Sequence, residues 1–186
     1  VAGINGDFYN VGNGLPIGIV ITEGQLRSTD GGYHAIGFRA DGTAVIGKPT
    51  VKVSADLGYQ ALDSYGVPTQ VVRQLTGVNK ARVSTGGIYL YTYDFNTAHT
   101  TGTTEAGVDV LCTIVDGQLG IGDTLTVVVD QVLETSTATP IGPDQVVLSA
   151  NQQSNTYYTD ALRNIPVGST ITLTATASSE EWNDVE

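Results

Sequence analysis

Of 186 residues only one is cysteine, one is tryptophan, two are histidine and none is methionine. The lone Cys112 excludes an internal disulfide framework and a cysteine-built zinc site. It sits in the apolar run Val110-Leu111-Cys112-Thr113-Ile114-Val115 with no histidine in pattern with it, so it reads as a buried, inert thiol on a strand. His34 and His99 are too few and too far apart to suggest a metal cluster. Positive charge is scarce as well. Eight Lys and Arg against nineteen Asp and Glu leave a net charge of −11. That balance lacks the basic footprint that nucleic acid or an anionic membrane surface demands. Apolar runs such as Val127-Val128-Val129 fall far short of the ~20 residues that span a bilayer. No secretory leader is read, and a chain opening on Val1 without methionine reads as a processed product or an excised piece. Nucleophile-elbow, P-loop and dinucleotide fingerprints are absent too.

What is present is period two. Ile171, Leu173 and Ala175 alternate with Thr172, Thr174 and Thr176, the signature of a half-buried strand. Residues 34–39 and 43–46 flank Asp41-Gly42 and predict a hairpin. Further strands are expected at 17–22, 50–55, 69–75, 87–92, 108–115, 124–133, 145–148 and 169–177. One short helix is expected over 158–164, ended by Pro166, which pushes Ile165 towards extended backbone. The polar stretch 134–139 reads as a mobile loop between strands. The expected fold is mainly β, or α+β with few short helices. Its mixed or antiparallel sheets would form a sandwich or a partly closed barrel in one domain.

Two features stand out as candidates for chemistry. Ile4-Asn5-Gly6-Asp7-Phe8-Tyr9-Asn10 puts an amide, a carboxylate and two aromatics directly after a short apolar stretch, where loops carry sites. Asn79-Lys80-Ala81-Arg82 is the tightest basic cluster on a chain short of cations. On residue type alone, each fits a structural role as readily as a functional one.

These same residues carry a resemblance. Ala2-Gly3-Ile4-Asn5-Gly6-Asp7-Phe8-Tyr9, followed by Gly14-Leu15-Pro16-Ile17-Gly18, resembles the opening of the phosphodiester glycosidase family. Gly77-Val78-Asn79-Lys80-Ala81-Arg82 with Ile88-Tyr89-Leu90-Tyr91-Thr92 is similar to its Asn-x-x-Arg block. Gly107-Val108-Asp109-Val110, Val147-Leu148-Ser149-Ala150 and Trp182-Asn183-Asp184-Val185 continue in order. The family pattern goes on to a second half with an Asp-Gly-Gly-Gly-Ser loop that these residues do not contain. The resemblance therefore implies that 1–186 is a single, partial domain lacking its C-terminal half, with any activity of this fragment in abeyance.

The implied reaction is hydrolysis of a sugar-1-phosphodiester in glycans or cell-wall polymers, at an extracellular or cell-surface location of a bacterium. A phosphomonoester leaves readily, so the site needs phosphate donors and one carboxylate rather than two strong acid–base groups. The resemblance assigns Asn5, Asp7 and Arg82 as catalytic residues, with Arg82 forking onto phosphate oxygens, and Phe8, Asn79 and Lys80 as substrate-binding residues. It implies no cofactor, with a divalent cation left open. The implied partners are a glycan or sugar-phosphate substrate and the C-terminal half or a second chain, with neither nucleic acid nor membrane insertion. The competing reading is a non-catalytic β module of a bacterial surface protein, binding carbohydrate or supporting its neighbours.

Overall fold

A computed structural model describes residues 8–29, 31–82, 86–152 and 156–186. The described chain is mainly β, as expected. Alternation builds its long strands. In β10 (Thr124–Thr135) Leu125, Val127 and Val129 are buried while their neighbours are partly exposed. Ile171, Leu173 and Ala175 of β12 (Thr170–Ala177) point into the same core. These strands join β5 (Val51–Leu62), β6 (Pro68–Gln74), β7 (Gly77–Val78), β8 (Tyr89–Thr92), β9 (Gly107–Gly117) and β11 (Gln145–Asn151). Together they form one eight-stranded sheet in the order β6-β5-β12-β10-β9-β11-β8-β7. Every pairing is antiparallel except β7 with β8, which makes the sheet mixed.

The two ends of that order are only two residues apart in the chain. Leu75 donates its backbone N–H to Val53 on β5 (2.8 Å), and Thr76 donates to Ile88 beside β8 (2.7 Å). These two bonds, made on either side of a bend at Thr76, tie one ribbon to both sheet edges, and the sheet closes into a barrel. Closure needs the strands tight at the seam. Gly87 has φ 135° and a Cβ there would lie 2.1 Å from Thr76 Oγ1, which only glycine avoids.

Inside the barrel, Val53, Leu57, Leu90, Val110, Val127, Leu148, Ile171 and Leu173 form the main core. Cys112 is buried among them, and burial pushes its thiol up to about 12. The helix α1 (Tyr157–Arg163) adds Ala161 and Leu162 to this core, one residue earlier than the sequence suggested. Tyr59 pins it by donating its hydroxyl to the Ala161 carbonyl (2.9 Å).

The opposite face of β8, β11 and β9 carries a second cluster of Tyr89, Tyr91, Val147 and Ile141, with Phe95 and Leu111 against it. Segments 93–101 and 139–141 cover that face, tied by Thr101 N–H to the Thr139 carbonyl and Ile141 N–H to the His99 carbonyl. Two small hairpins flank the barrel. β1 (Val20–Thr22) pairs with β2 (Gln25–Ser28), and β3 (Ala35–Phe38) pairs with β4 (Ala44–Gly47). β2 seats beside the seam through Thr29, which exchanges hydrogen bonds with Val78. Trp182 and Val185 pack under β3–β4 against Gly47 and Gly37.

Candidate functional site

The block after the seam positions three of the expected site residues. Asn79 takes φ 50°, a left-handed conformation that Asn tolerates better than most residues. This turns the chain out of β7 and places the amide between two strands. Its Nδ2 donates to the Arg27 carbonyl on β2 (2.8 Å) and to Thr92 Oγ1 on β8 (2.9 Å), and its Oδ1 accepts from Thr92 N–H (2.9 Å). Asn79 is thus a crosspiece, 5% exposed, joining the β1–β2 hairpin to the barrel. Lys80 reaches the other way. Its Nζ donates to three successive carbonyls, those of Pro16 (2.8 Å), Ile17 (3.2 Å) and Gly18 (3.3 Å), clasping the N-terminal loop onto the block.

Arg82 lies on the outer face of β9 and β11 with its side chain 1% exposed. Nη1 donates to Ser149 Oγ (2.8 Å), while Nη2 donates to Thr103 Oγ1 (3.2 Å) and to the Glu105 carbonyl (2.6 Å). The Ser149 hydroxyl in turn donates to Asp109 Oδ1 (2.5 Å), whose other oxygen accepts from the Thr139 hydroxyl (2.5 Å). The Arg82–Asp109 charges stand 3.7 Å apart with Ser149 bridging them. Register makes this possible: Ser149 lies opposite Asp109 across the β11–β9 ladder. Gly107 makes room, since a Cβ there would meet Arg82 Nη1 at 2.7 Å and the Ala150 carbonyl at 2.3 Å. Within this network, Arg82 Nε is buried without a hydrogen-bond partner among the described residues. Burial holds the Tyr91 phenol far above its ordinary value, with the Arg82 charge opposing that shift.

Beside the crosspiece an open groove of about 270 Å³ is lined by Leu15, Pro16, Val20, Thr22, Arg27, Ser28, Asn79, Asp94 and Phe95. Arg27 and Asp94 form an ion pair across it, their side chains 30% and 55% exposed. Ser28 is buried at the groove and its hydroxyl has no partner, a deficit that costs roughly 1–3 kcal/mol. Phe8, expected as a substrate-binding residue, is 80% exposed. Asn5 and Asp7 lie outside the described residues. His34 is exposed, and His99 stacks on Tyr93 with its Nδ1 against the Tyr93 carbonyl. Among the described residues no three His, Cys, Asp or Glu gather closely enough to hold a metal ion.

The structure therefore brings Asn79 to the groove, sets Lys80 beneath its loop wall and carries Arg82 into a sealed network. Arg27, Ser28, Asp94, Asp109 and Ser149 were not singled out as site residues from sequence. Asp109 left a trace there, as the one carboxylate inside the otherwise apolar run Val108-Asp109-Val110-Leu111.

No protein-family model matches the chain, and no curated protein does. Two of the solved structures that it matches illustrate its fold. A Synechocystis protein described as hypothetical aligns over 97% of this chain and 29% of its own, with a TM-score of 0.61 and 17% identity. A Burkholderia pseudomallei K96243 protein named "Putative exported protein" aligns over 94% and 38%, with a TM-score of 0.51 and 13% identity. The chain spans about a third of the length of each. Among the described residues no helix is long and apolar enough to cross a membrane.

Proposed function

We propose that this barrel forms part of the site of a phosphodiester glycosidase, an extracellular or cell-surface hydrolase that cleaves sugar-1-phosphodiesters of glycans or cell-wall polymers. One observation carries the reading. The two sequence blocks that resemble the family meet, because Lys80 clasps the Pro16-Ile17-Gly18 carbonyls and Leu15, Pro16 and Asn79 line one groove. Blocks more than sixty residues apart in the chain share an opening, as a substrate site requires.

The chemistry then divides among the residues. Arg27 faces the groove but is already paired with Asp94, so the phosphate falls to Arg82. Arg82, with both terminal nitrogens engaged, reaches a phosphate only when Ser149, Thr103 or Glu105 gives one of them up. Asn5 and Asp7, a few residues before the groove wall, are the amide donor and the carboxylate of the reading.

The second reading is a non-catalytic β module of a surface protein. The observation favouring it is that Asn79, Lys80 and Arg82 all spend their polar groups on internal bonds. One assay separates the two. Release of sugar from a chromogenic sugar-1-phosphodiester is measured for the complete gene product and for residues 1–186. Turnover in the complete product, lost on Lys80→Ala, supports the hydrolase. No turnover in either across several sugars leaves the module.

A further inference from the structure

The groove differs from an ordinary surface crease in its charge balance. Among the described residues its wall holds one cation and one anion, Arg27 and Asp94, paired with each other and partly open to solvent. An anionic ligand entering here meets the Asp94 carboxylate as soon as it meets Arg27. A cationic ligand meets the reverse. The chain's net charge of −11 does not tip the balance towards anions.

A purely apolar ligand fits no better. It would cover the ion pair without returning hydrogen bonds and would leave Ser28 as it is, buried without a partner. The remaining class is an uncharged ligand rich in hydroxyls. Each hydroxyl both donates and accepts, so neighbouring hydroxyls can accept from the Arg27 fork while donating to Asp94. A further oxygen can supply what Ser28 lacks. Leu15, Pro16, Val20 and Phe95 offer apolar surface to the C–H face of a ring.

Size narrows the class again. At about 270 Å³ the groove lies just under the roughly 300–1,000 Å³ of small-molecule pockets, which is room for one ring and not for a chain of them. We infer that the groove between β2 and the 93–95 turn is a subsite for a single uncharged pyranose, read by Arg27, Asp94 and Ser28. The inference rests on the same groove as the proposed hydrolase but concerns binding alone. Asn79 is a positioning residue for it, since its amide fixes the Arg27 backbone to Thr92, two residues before Asp94.

The test is an amide-shift NMR titration of residues 1–186 with the methyl glycosides of glucose, N-acetylglucosamine, mannose and galactose. Glucuronate, glucosamine and inorganic phosphate serve as charged probes. The expected result is that at least one uncharged glycoside moves the amides of Thr22, Arg27, Ser28 and Phe95 at millimolar concentration, while the charged probes bind more weakly. Asp94→Asn and Arg27→Gln, both at partly exposed positions, should each weaken that glycoside about tenfold with the remaining spectrum unchanged, as loss of a hydrogen bond to a charged group implies. Ser28→Ala should weaken it less while leaving the fold intact.

The inference is overturned if no uncharged glycoside moves these amides, if phosphate or glucuronate binds more tightly, or if Asp94→Asn binds like wild type. Failure here is distinct from failure of the hydrolase. Glycoside binding without phosphodiester turnover removes the hydrolase and keeps the subsite. Turnover with unmoved groove amides does the opposite.

Discussion

Two arginine–aspartate pairs are built on opposite principles. Arg82 and Asp109 are sealed, with a serine between them and a threonine behind. Arg27 and Asp94 touch directly and lie half in water. In the sealed pair both terminal nitrogens of Arg82 and both carboxylate oxygens of Asp109 are committed, so the charges hold the outer face of β9 and β11 and the 101–105 and 139 segments together. The open pair holds little and keeps its outer lone pairs and protons available. Identical residue types thus brace in one place and offer themselves in the other, and burial decides which.

The comparison breaks most visibly at Asp109. Asp109→Ala leaves the Arg82 guanidinium buried without a counter-charge, which should cost about 3–5 kcal/mol. Urea unfolding followed by circular dichroism reads this directly, and a loss below about 1 kcal/mol would mean that the pair is not sealed in solution. Next comes Gly107→Ala, where the new methyl would collide with the Ala150 carbonyl and Arg82. A loss of about 1–3 kcal/mol is expected from such overpacking, read in the same experiment.

A smaller and pH-dependent effect concerns Tyr91 above the sealed pair. Its folded pKa lies above the unfolded value near 10.0. The native state therefore keeps a proton that the unfolded state sheds, and this contribution is complete below pH 10 and lost as pH rises beyond it. Tyr91→Phe should leave neutral stability close to wild type and flatten the alkaline decline. Equal slopes above pH 10 in the two proteins would contradict the buried phenol. The smallest effect belongs to the open pair. Arg27→Gln should change stability by less than about 1 kcal/mol, and added salt should shrink even that.

Much of the frame was legible because it rests on local alternation. β3, β4, β6, β9, β10, β12 and α1 lie where periodicity put them, within a few residues. β2 was missed since Gln25-Leu26-Arg27-Ser28 is short and polar. β7 has two residues and exists only through its partner β8. β5 runs to Leu62 rather than ending near 55, in a stretch whose last residues are exposed and carry no alternation. The 134–139 loop begins later than expected, since β10 continues to Thr135 and Glu134 is held by Arg163.

Closure of the barrel was invisible for a different reason. It depends on Leu75 and Thr76 finding partners from opposite ends of the sheet, and no sequence window contains both. The site was half legible by the same logic. The Asn79–Arg82 cluster advertised itself through scarce charge, whereas Arg27, Asp94 and Ser149 gain their roles only from cross-strand register and from an amide crosspiece.

The seam at 75–76 also sets how this molecule can be edited. Because one short ribbon serves both edges, removing a single residue between Gln74 and Gly77 would pull one of these two bonds out of register and open the seam. The exposed hairpin tip around Tyr65 has no such double duty and tolerates added length. In a library of insertions and deletions, the barrel should therefore be permissive at one end of β6 and frame-locked at the other.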